Sequence, residues 1–336
     1  PRPEDEEKAR KDGDDAIFVD EGPNGQRDGT WTNLWSLDVG SKEETRLTEE
    51  DHRIASFSVS PNGDQVVFTA RTENRRNQQN QAEIHLLDVT SGETRQMTDN
   101  EAPEGRLTWA PDGRRFVYEA PSDDQWELRL DKLWIMDAES GDRRMISEAF
   151  DGNIGSFSWT PDGSAILFSG LQGTDNNLFR LNVGNGSVDQ VTQAAGSLSP
   201  SSFSRDHSRM AYVFQDFDTP ADVWVAKTDG SEGRRLTEVN PRITQELVLG
   251  EGKVIQWNSA DGTEIEGLLM LPPGHDGSSL PLLLHIHGGP AGVFRNSFDT
   301  RNHVWAGLGY AQLFPNVRGS SGYTDELLQG NMNDIG

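Results

Sequence analysis

Apolar and polar residues alternate in short runs through most of this chain, and the runs recur with a period of about 45–50 residues. One recurring run ends in a turn: Val59-Ser60-Pro61-Asn62-Gly63, Trp109-Ala110-Pro111-Asp112-Gly113, Trp159-Thr160-Pro161-Asp162-Gly163, and a degraded copy, Phe203-Ser204-Arg205-Asp206-His207. Each precedes a strand pattern ending in an aromatic residue: Phe68, Tyr118, Phe168 or Tyr212. A second signature is the run at 34–38, 84–88, 133–137, 178–182 and 223–227, which holds Trp35, Trp134, Phe179 and Trp224. A third is an apolar residue followed by a hydroxyl: Leu47-Thr48, Met97-Thr98, Ile146-Ser147, Val191-Thr192 and Leu236-Thr237, at intervals of 50, 49, 45 and 45 residues.

Three signatures in register over successive copies define one structural unit. Proline fixes φ, Asp bonds its own backbone and Gly takes positive φ, so Pro-Asp-Gly predicts a tight turn between half-buried strands. Strand, turn, strand, loop, strand, repeated, predicts a β-propeller blade. About four and a half blades are visible, counting a half at 15–48. Residues 1–14 are mostly charged and read as a frayed start. The recurring tryptophans are expected to pack between blades. Two polar loops, 71–83 and 119–132, and the loop 215–221 with Phe217 and Pro220 leave both a functional and a neutral reading open.

The repeats stop after Thr237, and 238–252 reads as a connection. Patterns at 254–257 and 264–271 then flank Ser259-Ala260-Asp261-Gly262, a hairpin signal. A buried parallel strand is predicted at Leu282–Ile286, a short helix at Thr300–Leu308 and a strand at Ala311–Phe314. We therefore expect a β-propeller over 1–240 and the opening of an α/β-hydrolase domain over 241–336.

Composition narrows the chemistry. Asp and Glu number 55 against 30 Lys and Arg, a formal charge of -25, which argues against nucleic acid as a partner. A solvated acidic surface explains the charge most simply. The absence of cysteine removes disulfides, thiol nucleophiles and Cys-based zinc sites, and leaves the compartment open, with cytoplasm favoured over export. No run of eighteen apolar residues is present, so no membrane segment is expected. His52, His85 and His207 lack metal-ligand spacing, and neither a metal nor another cofactor is expected.

Two glycine-rich turns carry the candidate chemistry. The apolar run from Leu282 stops at His287-Gly288-Gly289-Pro290, and the strand from Ala311 leads to Asn316-Val317-Arg318-Gly319-Ser320-Ser321-Gly322-Tyr323. Paired glycines let the backbone approach a ligand and turn its N–H groups toward it. In this order and spacing the two motifs resemble the peptidase domain of the prolyl oligopeptidase family, closest to its acylaminoacyl-peptidase and dipeptidyl-aminopeptidase-like members. The resemblance implies a propeller of TolB-like blades as companion domain. It also implies an oxyanion hole at Gly288 and Gly289, with Gly289 as principal N–H donor, and His287 and Pro290 shaping the turn.

A nucleophile elbow, Gly-x-Ser-x-Gly, is absent. The family order places Ser, then Asp, then His after the strands present here, so the triad is expected beyond Gly336 and the chain reads as an inactive fragment missing N-terminal blades. His285 reads as a satisfied sheet histidine, His303 as a helix residue, and Asn316 and Arg318 as anchors, Arg318 with a carboxylate partner. The expected activity of the parent is acyl-enzyme hydrolysis of short peptides. A propeller-containing binding protein and an esterase on the same scaffold remain open.

Overall fold

Each turn signature folds as its chemistry dictates. The N–H groups of Gly63, Gly113 and Gly163 donate to Ser60, Ala110 and Thr160, and the three glycines take φ of 80°, 66° and 68°. In the degraded copy His207 fills the same position at φ 53° and donates to Ser204. The Asp carboxylates of Asp112, Asp162 and Asp206 accept from the backbone two residues on. The structure, a computed structural model, describes residues 31–72, 80–123, 126–276, 278–289 and 291–332. The frayed start, residues 15–30 of the first half-repeat, 73–79 and 124–125 of the two polar loops, and Pro290 lie outside the described residues.

Strands follow in chain order. β1 (Trp35–Leu37) pairs with β2 (Glu44–Arg46). β3 (Arg53–Val59), β4 (Gln65–Arg71), β5 (Glu83–Asp88) and β6 (Thr94–Gln96) form a four-stranded sheet in sequence order. So do β7 (Gly105–Trp109), β8 (Arg115–Pro121), β9 (Asp131–Asp137) and β10 (Arg143–Met145). Next come β11 (Asn153–Trp159), β12 (Ala165–Gln172), β13 (Asp175–Asn182) and β14 (Val188–Gln190), then β15 (Ser197–Phe203), β16 (Arg209–Gln215), β17 (Asp222–Lys227) and β18 (Arg234–Arg235). These eight share one sheet because β13 and β15 meet in parallel at Asn176 and Ser197. No sheet closes on itself among the described residues.

The repeat recurs in detail beyond what the sequence signatures state. The pairing register slips in the first strand of every four-stranded group: between Ile54 and Ser56, Gly105 and Thr108, Ile154 and Phe157, and Pro200 and Ser202. Such bulges bend and twist a strand. The terminal aromatic of the second strand stacks on the residue opposite it in the third, as in Phe168 on Phe179 at 19° and Tyr212 on Trp224 at 22°. Trp109 and Trp159 are buried, as expected of packing, whereas Trp35 is exposed. The third signature proves to be a hydrogen-bond device. The hydroxyls of Thr48, Thr98, Thr192 and Thr237 accept the N–H of Leu34, Ile84, Leu178 and Val223, each of which lies in the third strand of its group or, for Leu34, just before β1.

The chain divides into two compact units, residues 1–126 with 133–144, and residues 127–132 with 145–336. The second unit holds both glycine-rich turns. After α1 (Pro241–Glu246), β19 (Glu251–Asn258) and β20 (Glu264–Leu271) make the predicted hairpin, with Gly262 at φ 90° in its turn. β21 (Leu282–Leu284), α2 (Thr300–Gly307), β22 (Ala311–Asn316) and α3 (Asp325–Gln329) complete the unit, and the sheet order is β19-β20-β22-β21. α2 begins at Asp299, whose carboxylate caps Arg301 N–H. Leu268, Met270, Phe314 and Ala306 form the core between this sheet and α2.

One expectation is corrected here. Leu282–Ile286 is not a buried strand. β21 is parallel to β22 but stops at Leu284, and Leu282, Leu284 and Ile286 are 56%, 57% and 77% exposed. Its only strand neighbour among the described residues is β22, which leaves β21 at the sheet edge, and the face that carries Leu282, Leu284 and Ile286 is open.

Candidate active site

β21 runs out into His285, whose backbone N–H donates to Leu313 and keeps the chain on the sheet for one more residue. The His285 ring stacks on Phe314 at 4.2 Å, yet its Nε2 has no hydrogen-bond partner among the described residues, so the expectation of a satisfied histidine fails. The chain then turns at Gly288 and Gly289. Gly289 has φ 141°, and a Cβ there would lie 2.7 Å from the backbone nitrogens of Ala291 and Gly292. Gly292 is equally constrained, because a Cβ would meet the Gly288 carbonyl oxygen at 2.4 Å. Gly288 and Gly289 are exposed, and the Gly289 N–H has no acceptor among the described residues.

The second glycine-rich motif braces this turn. His287 Nε2 lies 2.8 Å from the hydroxyl of the fully buried Ser320, and Ser321 N–H donates to the Gly292 carbonyl at 3.2 Å. His287 Nδ1 faces the Gly288 carbonyl at 3.4 Å rather than a carboxylate. A buried serine and a histidine without an acid cannot perform triad chemistry. The pair is a brace. Asn316, also fully buried, clamps the irregular segment after the turn: its Oδ1 accepts from Phe294 N–H at 2.7 Å and its Nδ2 donates to the Phe294 carbonyl at 2.9 Å. The same Nδ2 donates to Tyr323 Oη, which in turn donates to Glu266. Burial and the Glu266 charge push the Tyr323 phenol up. Arg318 pairs with Asp261 at 2.6 Å, as expected, and hydrogen bonds from Ser259 and Thr263 help hold that carboxyl well below its ordinary range.

The loops left open by sequence also acquire places. His303 Nδ1 accepts from Gly250 N–H at 3.2 Å and its Nε2 donates to the Phe217 carbonyl at 2.8 Å, which anchors the 215–221 loop. The end of the 119–132 loop docks through Leu130 N–H onto Asp325 at 2.7 Å. Asn296, Gly292 and Ser320 are the residues that sequence reasoning missed. Asn296 lies in an aperiodic stretch outside both motifs, and no local signal marks it.

A cleft of about 420 Å³ brings Asp175, Glu266 and Tyr323 together. Burial raises the Asp175 carboxyl above its usual range. Among the described residues no group of three or more His, Asp or Glu is placed to hold a metal ion, and no helix is long and apolar enough to cross a membrane.

Gly288 and Gly289 thus lie in an exposed turn whose path Gly292, His287 and Ser320 constrain. Comparison with known proteins finds peptidases among the relatives of this chain. No family model matches the chain. It is 25% identical over 222 residues to an uncharacterized peptidase, YuxL, of Bacillus subtilis, which covers 62% of this chain and 34% of that protein. It is 26% identical over 203 residues to dipeptidyl-peptidase 5 of Porphyromonas gingivalis, covering 60% of this chain and 29% of the relative. Among solved structures, acylaminoacyl peptidase of Pyrococcus horikoshii superposes with a TM-score of 0.71 at 20% identity, over 96% of this chain and 50% of that one. The resemblance to prolyl oligopeptidase-type peptidases read from the two turns therefore holds: the sequence relatives are peptidases and the shared fold is that of an acylaminoacyl peptidase. The chain spans about a third of the length of the curated relatives it matches.

Proposed function

We propose that this chain is part of a serine peptidase that hydrolyses short peptides through an acyl-enzyme. On this reading the four-stranded groups are TolB-like blades of a propeller over 1–240, and β19 to β22 open an α/β-hydrolase sheet over 241–336. Gly289, with Gly288, supplies oxyanion N–H groups, and His287 holds the turn through Ser320. The nucleophile, acid and base lie outside the 336 residues; no Gly-x-Ser-x-Gly occurs within them. The observation that carries the reading is the exposed residue Gly289, whose N–H has no acceptor among the described residues, in a turn that the second glycine-rich motif braces. The order β19-β20-β22-β21 supports it, with a crossover through α2 between the parallel strands β21 and β22.

The test is to read the coding sequence past Gly336, express the full-length product and treat it with a fluorophosphonate probe and chromogenic peptide anilides. Labelling of a serine in a Gly-x-Ser-x-Gly turn, with anilide cleavage, is expected. An intact downstream domain without that serine, or a protein that cleaves esters and no amides, overturns the proposal.

A further inference from the structure

Asn296 uses every polar group it has. Its N–H donates to the Thr174 carbonyl at 2.8 Å, and its carbonyl accepts from Ser197 Oγ at 3.0 Å. Its side-chain Oδ1 accepts from Phe217 N–H at 3.1 Å, and its Nδ2 donates to Asp175 Oδ1 at 3.2 Å. The residue is buried, and its partners come from the β12–β13 turn, the start of β15 and the loop after β16. Two residues before it, Phe294 is held on both backbone groups by Asn316. Gly292, whose carbonyl accepts from Ser321, lies two residues earlier again.

We propose that Asn296 is the positioning residue for the oxyanion turn. It fixes the far end of the segment that begins at Gly288 to the sheets of β11–β18, so that the Gly289 N–H is aimed before substrate arrives. The inference rests on the peptidase reading of that turn. The physical case is that a donor outside any regular element keeps its direction only if the chain on both sides is held. On the near side the hold is His287 with Ser320; on the far side it is Asn316 and then Asn296. The contact with Asp175 is directional. An amide donor meets a carboxylate whose pKa burial has already raised, so replacing the donor by a second acid sets two carboxylates against each other. Binding of a peptide elsewhere need not change, whereas alignment for attack does.

The experiment is an exchange of the two groups in the full-length enzyme: Asn296→Asp, Asp175→Asn, and both together, each assayed with a chromogenic peptide anilide. Asn296→Asp is expected to lower kcat about tenfold with KM little changed. The double variant restores a donor–acceptor pair in reversed order and is expected to recover most of kcat, which a general loss of stability would not allow. In the 336-residue chain itself, amides of 287–298 are expected to exchange hydrogen faster in Asn296→Asp and to regain protection in the double variant. Wild-type kcat in the single variant, a double variant no better than the single, or unchanged exchange overturns the role of Asn296 while leaving the peptidase reading intact. A wild-type enzyme that neither cleaves the anilide nor labels with fluorophosphonate overturns the peptidase reading, and the role with it. Should the single variant not fold, recovery of folding and turnover by the exchange still reports the pairing, and its failure rejects it.

Discussion

The Nε2 of His287 and the hydroxyl of Ser320 lie 2.8 Å apart, across 33 residues of chain, and join the two glycine-rich turns. Ser320 has no exposed surface, and the imidazole's other nitrogen faces the Gly288 carbonyl, with no carboxylate there among the described residues. The pair shares the elements of a catalytic couple and has the geometry of a brace.

Replacing Ser320 by Ala should therefore lower stability without removing the nucleophile. The half-buried His287 nitrogen loses its partner, at about 1–2 kcal/mol. Thermal unfolding of the 336-residue chain should show the loss, and fluorophosphonate labelling of the full-length protein should persist. A fluorophosphonate adduct mapped to Ser320 in the wild type would make Ser320 the reacting serine.

Gly292→Ala tests how closely the turn is shaped. The added methyl would lie 2.4 Å from the Gly288 carbonyl oxygen and 2.8 Å from His287 Nδ1, so the turn must open. A displacement of this kind near the reacting atoms costs roughly 100-fold in turnover. Circular dichroism should remain that of the wild type, because the strands β19 to β22 are untouched. Full turnover by the variant would mean that the turn does not serve the oxyanion.

Glu104 makes the first compact unit sensitive to pH. Burial raises its carboxyl from 4.5 to about 7, against hydrogen bonds from Thr98 and Asn100 and the guanidinium of Arg143, with Glu83 adding to the rise. The folded state thus binds the proton more tightly than the unfolded state. The stabilising contribution is complete below the unfolded value of 4.5 and is lost as pH rises through about 7. Melting temperature measured across that window should fall more steeply for the wild type than for Glu104→Gln. Parallel profiles would show that Glu104 ionises as in the unfolded chain.

Much of the architecture was legible in the residues because its causes are local. Pro-Asp-Gly specifies its own turn, and the φ of Gly63, Gly113 and Gly163 follows. The half-buried alternation expected of every strand fails in the inner strands, where β4, β8 and β12 are buried on both sides, whereas the Asp261-Gly262 hairpin and the helix behind Asp299 fell where their residues predict. That Arg318 would pair with a carboxylate was also readable, since a guanidinium among so many acids finds one; that the partner is Asp261 was not. The repeated threonine was visible as a pattern, but its use as an acceptor for the third strand was not.

What tertiary structure alone decided are the contacts between distant segments. Asn296 meets Phe217, Ser197 and Asp175 at separations of 79, 99 and 121 residues, and nothing in the residues around it announces this. The leucines of β21 read as a buried run because periodicity reports hydrophobicity, while burial depends on which elements lie against each face; here β22 is the strand neighbour and one face stays open. The sequence by itself determined the turns and the glycines that shape the chain around the Gly289 N–H donor. The aim of that donor is decided by hydrogen bonds that form only once the sheets have assembled, since their directions depend on where remote backbone groups come to rest.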